Sequence, residues 1–215
     1  IESSDLDTEF GEWVIESALN LLNQWTDKHP GLSLSINITA RHLQSPHFPA
    51  KLQQQLQLHP AVEARRLEIE VTESGSLSDL TTAVNVIEQL HRLGVLVSLD
   101  DFGTGYSSLT YLRRLPVDTL KIDQSFIRDM LRNPDDCAIV KGVISLAQSF
   151  GRGVVAEGVE TYEQGAMLLE MGCDMAQGYG IARPMPQADL PAWLVHWREH
   201  SLWVSPQPMV NAGPA

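Results

Sequence analysis

Cysteine is scarce. Cys137 and Cys173 are the only two in 215 residues, and their spacing fits no metal-binding pattern. That excludes a disulfide-stapled scaffold and a cysteine-ligated zinc site, and leaves two reduced thiols in a cytoplasmic protein. Positive charge is also short. Against 27 Asp and Glu there are 15 Lys and Arg, for a formal net charge of −12. A broad basic surface for a nucleic acid polymer is therefore not available. An anionic substrate would need cations held in an acidic pocket. Long apolar runs are missing as well. No stretch approaches a membrane span, and no signal-peptide pattern opens the chain. The expectation is a cytoplasmic domain without a membrane segment of its own, whose parent protein could still be anchored through upstream segments. The abrupt start, Ile1-Glu2-Ser3-Ser4 running into a helix, reads as a cut within a longer chain.

What is present is enough for a core: 43% of the residues are hydrophobic. The stretch Val95 to Leu109 organises the rest. Val95 to Leu99 is a β-branched apolar run of the buried-strand kind. It ends on Asp100 and Asp101, and Gly103 and Gly105 then allow a sharp turn. Two carboxylates side by side raise one another's pKa, and a hard divalent cation removes that cost.

Around this stretch, strands alternate with helices. Glu9 to about Lys28 carries an amphipathic stripe and stops at His29-Pro30-Gly31. Strands follow at Leu32–Ile38, Leu67–Val71, Val95–Leu99, Thr119–Ile122, Val154–Ala156 and around Met175–Gly178. Helices are expected over Gln44–Leu58, Asp79–Leu93 with Ser78 as cap, Ser107–Arg114, Asp135–Phe150, from Thr161 to near Gly172, and over Leu190–His200. Thr161 and Gln164 form a capping-box pattern. The alternation predicts an α/β fold with a parallel sheet and outer helices. A closed (β/α)8 TIM-type barrel needs eight strands, so at least one is expected to be missing from the N-terminus. An open doubly wound sheet is the other architecture. The turn after Asp101 is not a dinucleotide fingerprint. One domain over residues 1–202 and a loose tail over 203–215 complete the division.

Nearly every strand ends on a residue that could bind metal or move a proton. Asn37 and Glu70 end the first two, and Asp100 and Asp101 follow the third. Lys121 and Asp123 share a face of the fourth. Glu157 follows the fifth, and Gln177 lies on the sixth. In a parallel barrel these ends meet at one mouth. Ionisable groups there are costly unless paired or metal-bound. An all-oxygen set without histidine or cysteine suits Mg²⁺, Mn²⁺ or Ca²⁺. Asp100 could bridge two ions about 4 Å apart, the arrangement that displaces an alkoxide from a phosphate diester. Lys121 could neutralise phosphate charge or orient water, or else pair with Asp123 or a nearby Glu. Glu160 precedes the Thr161 cap, where an acid also favours the helix dipole.

Five ordered motifs carry a resemblance: Leu67-Glu-Ile-Glu-Val-Thr-Glu-Ser74, Asp100-Asp-Phe-Gly-Thr-Gly-Tyr-Ser-Ser-Leu109, Leu120-Lys-Ile-Asp123, Ala156-Glu-Gly-Val-Glu160 and Gln177-Gly-Tyr179. From about Ile1 to Arg198 the chain resembles the EAL domain family. Its members hydrolyse cyclic di-GMP to linear pGpG with Mg²⁺ or Mn²⁺. The resemblance implies a barrel whose first strand is antiparallel. It implies Asn37, Glu70, Asp100 and Asp101 as metal ligands, with Glu157 a further one. Lys121 and Glu157 would act at the attacking water, and Gln177 would support that water or the substrate. Phe102, Gly103, Thr104, Gly105, Tyr106 and Ser107 would form a loop coupling dimerisation to metal binding. Glu73 would anchor that loop, and Glu160 is grouped with it. Two ions per site are implied, with Ca²⁺ inhibitory. A homodimer is expected, with sensory or GGDEF-type domains upstream. The glutamate of the Glu-Ala-Leu motif, and the arginine after it, would fall some twenty residues before Ile1 by the family pattern. Gly180-Ile181-Ala182 replaces bulkier residues found in many relatives. The alternative function is a cyclic di-GMP receptor without hydrolysis, acting through protein contacts.

Overall fold

The computed structural model describes residues 6–72, 80–104 and 109–200. Six strands form one sheet in the order β1-β2-β3-β4-β5-β6. They are β1 Leu34–Asn37, β2 Leu67–Thr72, β3 Leu96–Phe102, β4 Thr119–Ile122, β5 Gly153–Ala156 and β6 Met175–Ala176. Every described pair is parallel. Parallel neighbours in sequence order, joined through helices, make the α/β arrangement of a TIM-type barrel.

The face that meets the helices explains why these segments are strands. Leu67, Ile69, Val71, Val97, Leu99, Leu120, Ile122, Val154 and Ala156 are all buried there. Alternation in a strand sends the residues between them to the other face. That inner face carries Asn37, Glu70, Ser98 and Lys121. The sheet thus packs its apolar side outward, against α1 Leu6–Trp25, α4 Leu80–Leu93 and α7 Pro134–Ser149 among others. Each fully buried Leu, Ile or Val contributes about 1.5–3 kcal/mol of burial.

Turn chemistry sets where each helix begins and ends. Gly94, at φ 84°, stops α4 and hands the chain to β3. Thr161 caps α8 Tyr162–Glu170 in the reciprocal capping box read from its sequence. Two short helices lie where the sequence shows no helical period: α2 Ala40–Leu43, capped by Thr39, and α6 Gln124–Asp129, capped by Asp123. The polar segment expected to be helical from Gln44 forms α3 only from Phe48 to Leu58, with a proline in its first turn. The remaining helices are α5 Leu109–Arg114 and α9 Leu190–His200. The Ser78 cap, residues 105–108 and the 203–215 tail lie outside the described residues.

Candidate metal centre

The third strand does not stop before its acids. It runs through them to Phe102 and carries a bulge. Leu99 pairs with Leu120 and Phe102 with Ile122, so Asp100 and Asp101 together stand opposite the single residue Lys121. Regular alternation would send one of the two acids to the apolar face. One extra residue in the strand lets both serve the inner face. The bulge forces Asp101 to φ 56°, the sole non-glycine at positive φ among the described residues. Such a backbone costs about 1–3 kcal/mol and is held by its surroundings. Asp100 Oδ1 accepts from Asp101 N at 3.0 Å, and the Asp101 carbonyl accepts from Thr104 Oγ1 at 3.0 Å.

Lys121 is the hub. Its side chain is 5% exposed, and its Nζ lies 2.7 Å from Glu70 Oε2, 3.2 Å from Asp100 Oδ1 and 2.7 Å from Glu157 Oε1. Burial alone would lower the Lys121 pKa. Hydrogen bonds to Glu157 and Glu70, with their charges, outweigh it and raise the value, so the ammonium stays protonated. Asp123, expected to share a face with Lys121, directly follows β4 and lies within hydrogen-bond reach of the Asp101 carboxyl. It accepts from Ser125 N at 3.0 Å, and Ser125 Oγ bonds the same oxygen.

One oxygen each from Asp100, Asp101 and Glu157 falls within 4.8 Å of the others. Burial pushes the Glu157 carboxyl up. Lys121 pulls it down, and Asp100 pushes it up again. Asp101 is raised by burial first, then by the charges of Asp100 and Asp123. Acids crowded until they resist ionising, with oxygen donors alone, fit a hard dication. A buried, unpartnered Ser98 Oγ on the same face is a further oxygen among the described residues.

Of the residues singled out from the sequence, Glu70, Asp100, Asp101, Lys121 and Glu157 come together. Asn37 ends β1 beside Glu70 in register. Gln177 falls just after β6 and is exposed, its backbone bonded to Ala156 and Val159. Glu160 is exposed, and its N–H donates to Gln164 Oε1 at 2.8 Å, the place of a residue entering a helix. Phe102 is buried, and Gly103 turns at φ 104° against the Phe126 ring. Glu73, Gly105, Tyr106 and Ser107 lie outside the described residues. Ser98 carries no expectation from the sequence, and Gln164 only that of the capping box with Thr161. Ser98 could have been found by counting two back from Asp100 along the strand.

The sequence signature described as the EAL domain matches residues 1–184. The bifunctional diguanylate cyclase/cyclic di-GMP phosphodiesterase MucR of Pseudomonas aeruginosa is 38% identical over 190 residues, covering 88% of this chain and 28% of that protein. Cyclic di-GMP phosphodiesterase PdeR of Escherichia coli is 38% identical over 192 residues, covering 89% of this chain and 29% of that protein. The chain thus spans less than a third of the length of these relatives. Among solved structures, the MucR phosphodiesterase in complex with c-di-GMP superposes with a TM-score of 0.81 at 39% identity, over 86% of this chain and 75% of that one. The EAL domain of DcpA from Mycobacterium smegmatis gives 0.82 at 36% identity, over 88% and 86%. On the sheet, the acidic centre and these matches, the chain belongs to the EAL domain family.

Proposed function

We propose that this domain hydrolyses cyclic di-GMP to linear pGpG with Mg²⁺ or Mn²⁺. The observation that carries the reading is the approach of Asp100, Asp101 and Glu157 oxygens to within 4.8 Å around a buried lysine. Relatives named as cyclic di-GMP phosphodiesterases support the choice of substrate.

In this reading Asn37, Glu70, Asp100, Asp101 and Glu157 hold the cations, and Gln177 lines the substrate side. Bound dications would draw negative charge from the phosphate diester and favour attack on phosphorus. Water supplies the hydroxyl that joins phosphorus, and the bond from phosphorus to the 3′ oxygen breaks. The other proton of that water ends on the 3′ oxygen, which leaves a 5′-phosphate and a free 3′-hydroxyl. Glu157, with its pKa raised, is placed to take the proton. Lys121, held protonated, orients that carboxylate and offsets phosphate charge. The loop from Phe102 to Ser107, with Glu73 and Glu160, would answer to a homodimer contact and to domains upstream. No helix among the described residues is long and apolar enough to cross a membrane.

The test separates products from cyclic di-GMP incubated with the full-length protein and with Asp100→Asn. Expected are pGpG in Mg²⁺ or Mn²⁺, inhibition by Ca²⁺, and a loss of at least a hundredfold in the variant. Tight binding of cyclic di-GMP without pGpG would make the domain a receptor and overturn the reading.

A further inference from the structure

The turn that follows Glu157 is held by one buried amide. Gln164, on α8, is 4% exposed. Its Oε1 accepts from Glu160 N at 2.8 Å and Thr161 N at 3.0 Å. Its Nε2 donates to Ile127 O at 3.0 Å and to Arg128 O at 3.4 Å, both on α6. Of the first pair, the bond from Thr161 N belongs to an ordinary capping box, and the bond from Glu160 N extends it by one residue. The second pair does not belong to it, because it reaches across to another helix.

That helix is joined to the site at every end. It starts directly after Lys121 and Ile122, with Asp123 as its cap. At Gly158, which sits at φ 69°, a Cβ would lie 2.6 Å from Gln124 Cβ, so the turn after Glu157 rests on α6 backbone to backbone. At Gly103 a Cβ would lie 3.0 Å from Phe126 Cε2, so the turn after Asp101 rests on the same helix. A short helix thus touches both acid-bearing turns and continues from the lysine's strand. Gln164 is the polar tie that keeps the Glu157 turn on it. Besides Gln164, the turn is held by Glu157 N donating to Ile122 O at 3.1 Å, and the Glu157 carboxylate by Lys121 Nζ at 2.7 Å.

We propose that Gln164 is a positioning residue for Glu157. By tying Glu160 and Thr161 to α6 directly after Glu157, it acts with Lys121 to set the distance between the Glu157 carboxylate and the pair Asp100 and Asp101. The proposal rests on the metal reading given above. Partners behind a ligand typically change metal affinity 10–100-fold when lost. Gln164→Met keeps the volume and removes all four bonds. Gln164→Glu keeps both acceptor contacts and loses only the donors to α6.

The experiment measures Mn²⁺ affinity by calorimetry on the full-length protein, on both variants, and on Leu52→Ala in the core of α3. In parallel, hydrogen exchange is followed at the Glu157 amide, which Gln164 does not itself bond. Expected are a tenfold or greater loss of Mn²⁺ affinity and faster Glu157 exchange in Gln164→Met, with Gln164→Glu intermediate. Leu52→Ala should lower the melting temperature and change neither. Unaltered Mn²⁺ affinity in Gln164→Met overturns the proposal, and so does an equal loss in Leu52→Ala. If the unsubstituted protein takes up no Mn²⁺, the metal reading fails by itself. Exchange at Glu157 then decides for Gln164: acceleration in Gln164→Met upholds the clamp, and an unchanged rate refutes it.

Discussion

Replacing Lys121 by methionine should destabilise the fold in metal-free buffer, and a dication should restore much of the loss. Methionine matches the length of the stem and removes only the charge and its donors. Lys121 Nζ contacts Glu70, Asp100 and Glu157 at 2.7, 3.2 and 2.7 Å, and the partner side chains are 9%, 12% and 16% exposed. Breaking a buried pair from one side leaves an unpaired charge and costs about 3–5 kcal/mol. Here three carboxylates lose one partner, so the upper half of that range is expected. Domains hold about 5–15 kcal/mol in all, so the variant stays folded but with little margin. With a urea slope of about 2 kcal/mol per molar, the midpoint should fall by roughly 2 M. Mn²⁺ at a hundred times its dissociation constant returns about 2.7 kcal/mol by mass action. Acid should narrow the gap, because protonated carboxyls no longer repel. The assay is urea unfolding of the domain with and without Mn²⁺. A variant that unfolds at the same urea concentration as its parent in chelator would show that the ammonium does not hold these acids together.

Asp101→Asn should raise the metal-free urea midpoint at pH 7 and weaken Mn²⁺ binding. The folded pKa of Asp101 is raised, so its contribution is favourable below its usual value of 3.8 and is lost as pH rises through the folded value. Asparagine also accepts the positive φ, and a lower midpoint in the variant would refute the reasoning. His42 should give acid sensitivity. It is 2% exposed, its Nδ1 has no partner among the described residues, and burial lowers its pKa from 6.5 against the pull of Asp7 and Glu12. The unfolded chain therefore binds protons more readily, and stability is lost as pH falls from 6.5 through the folded value. His42→Gln should flatten that slope between pH 7.5 and 5.5, and an identical slope in parent and variant would count against burial as the cause.

Most of the sheet is legible before folding because its outer face is apolar at every second residue. Thr119–Ile122 is read and found with the same ends, and the other strands agree within a residue or three. Alternation reports burial on one face and needs no partner to be visible. The bulge in β3 does need one. Gly103 and Gly105 mark a turn close after Asp100, so the acids read as a strand end. Only the pairing of Leu99 and Phe102 with Leu120 and Ile122 on β4 shows an extra residue. For α6 the local signal is a single cap, Asp123 before Ser125, in a helix too short to show a period. Gln164 illustrates the same limit. Its capping box lies within four residues and is visible in sequence. Its donation to Ile127 spans 37 positions and is not.

The same distinction explains why the site residues were easier to name than to group. Strand ends collect chemistry by topology alone, so Glu70, Asp100, Lys121 and Glu157 can be chosen from their places after apolar runs. Which of them share one cation depends on a local departure from regularity. Without the bulge, Asp101 would point to the face that Leu99 and Leu120 bury, where a carboxylate has no partner. With it, Asp101 joins Asp100 at the cost of a left-handed backbone and a raised pKa. Both costs fall on the folded domain without cations, and the charge crowding is relieved when a dication binds the pair. A fold that accepts backbone strain and charge crowding at the same residue, while Lys121 keeps the other three acids paired, is one whose stability at this mouth should rise with Mn²⁺ more steeply for the parent than for Asp101→Asn.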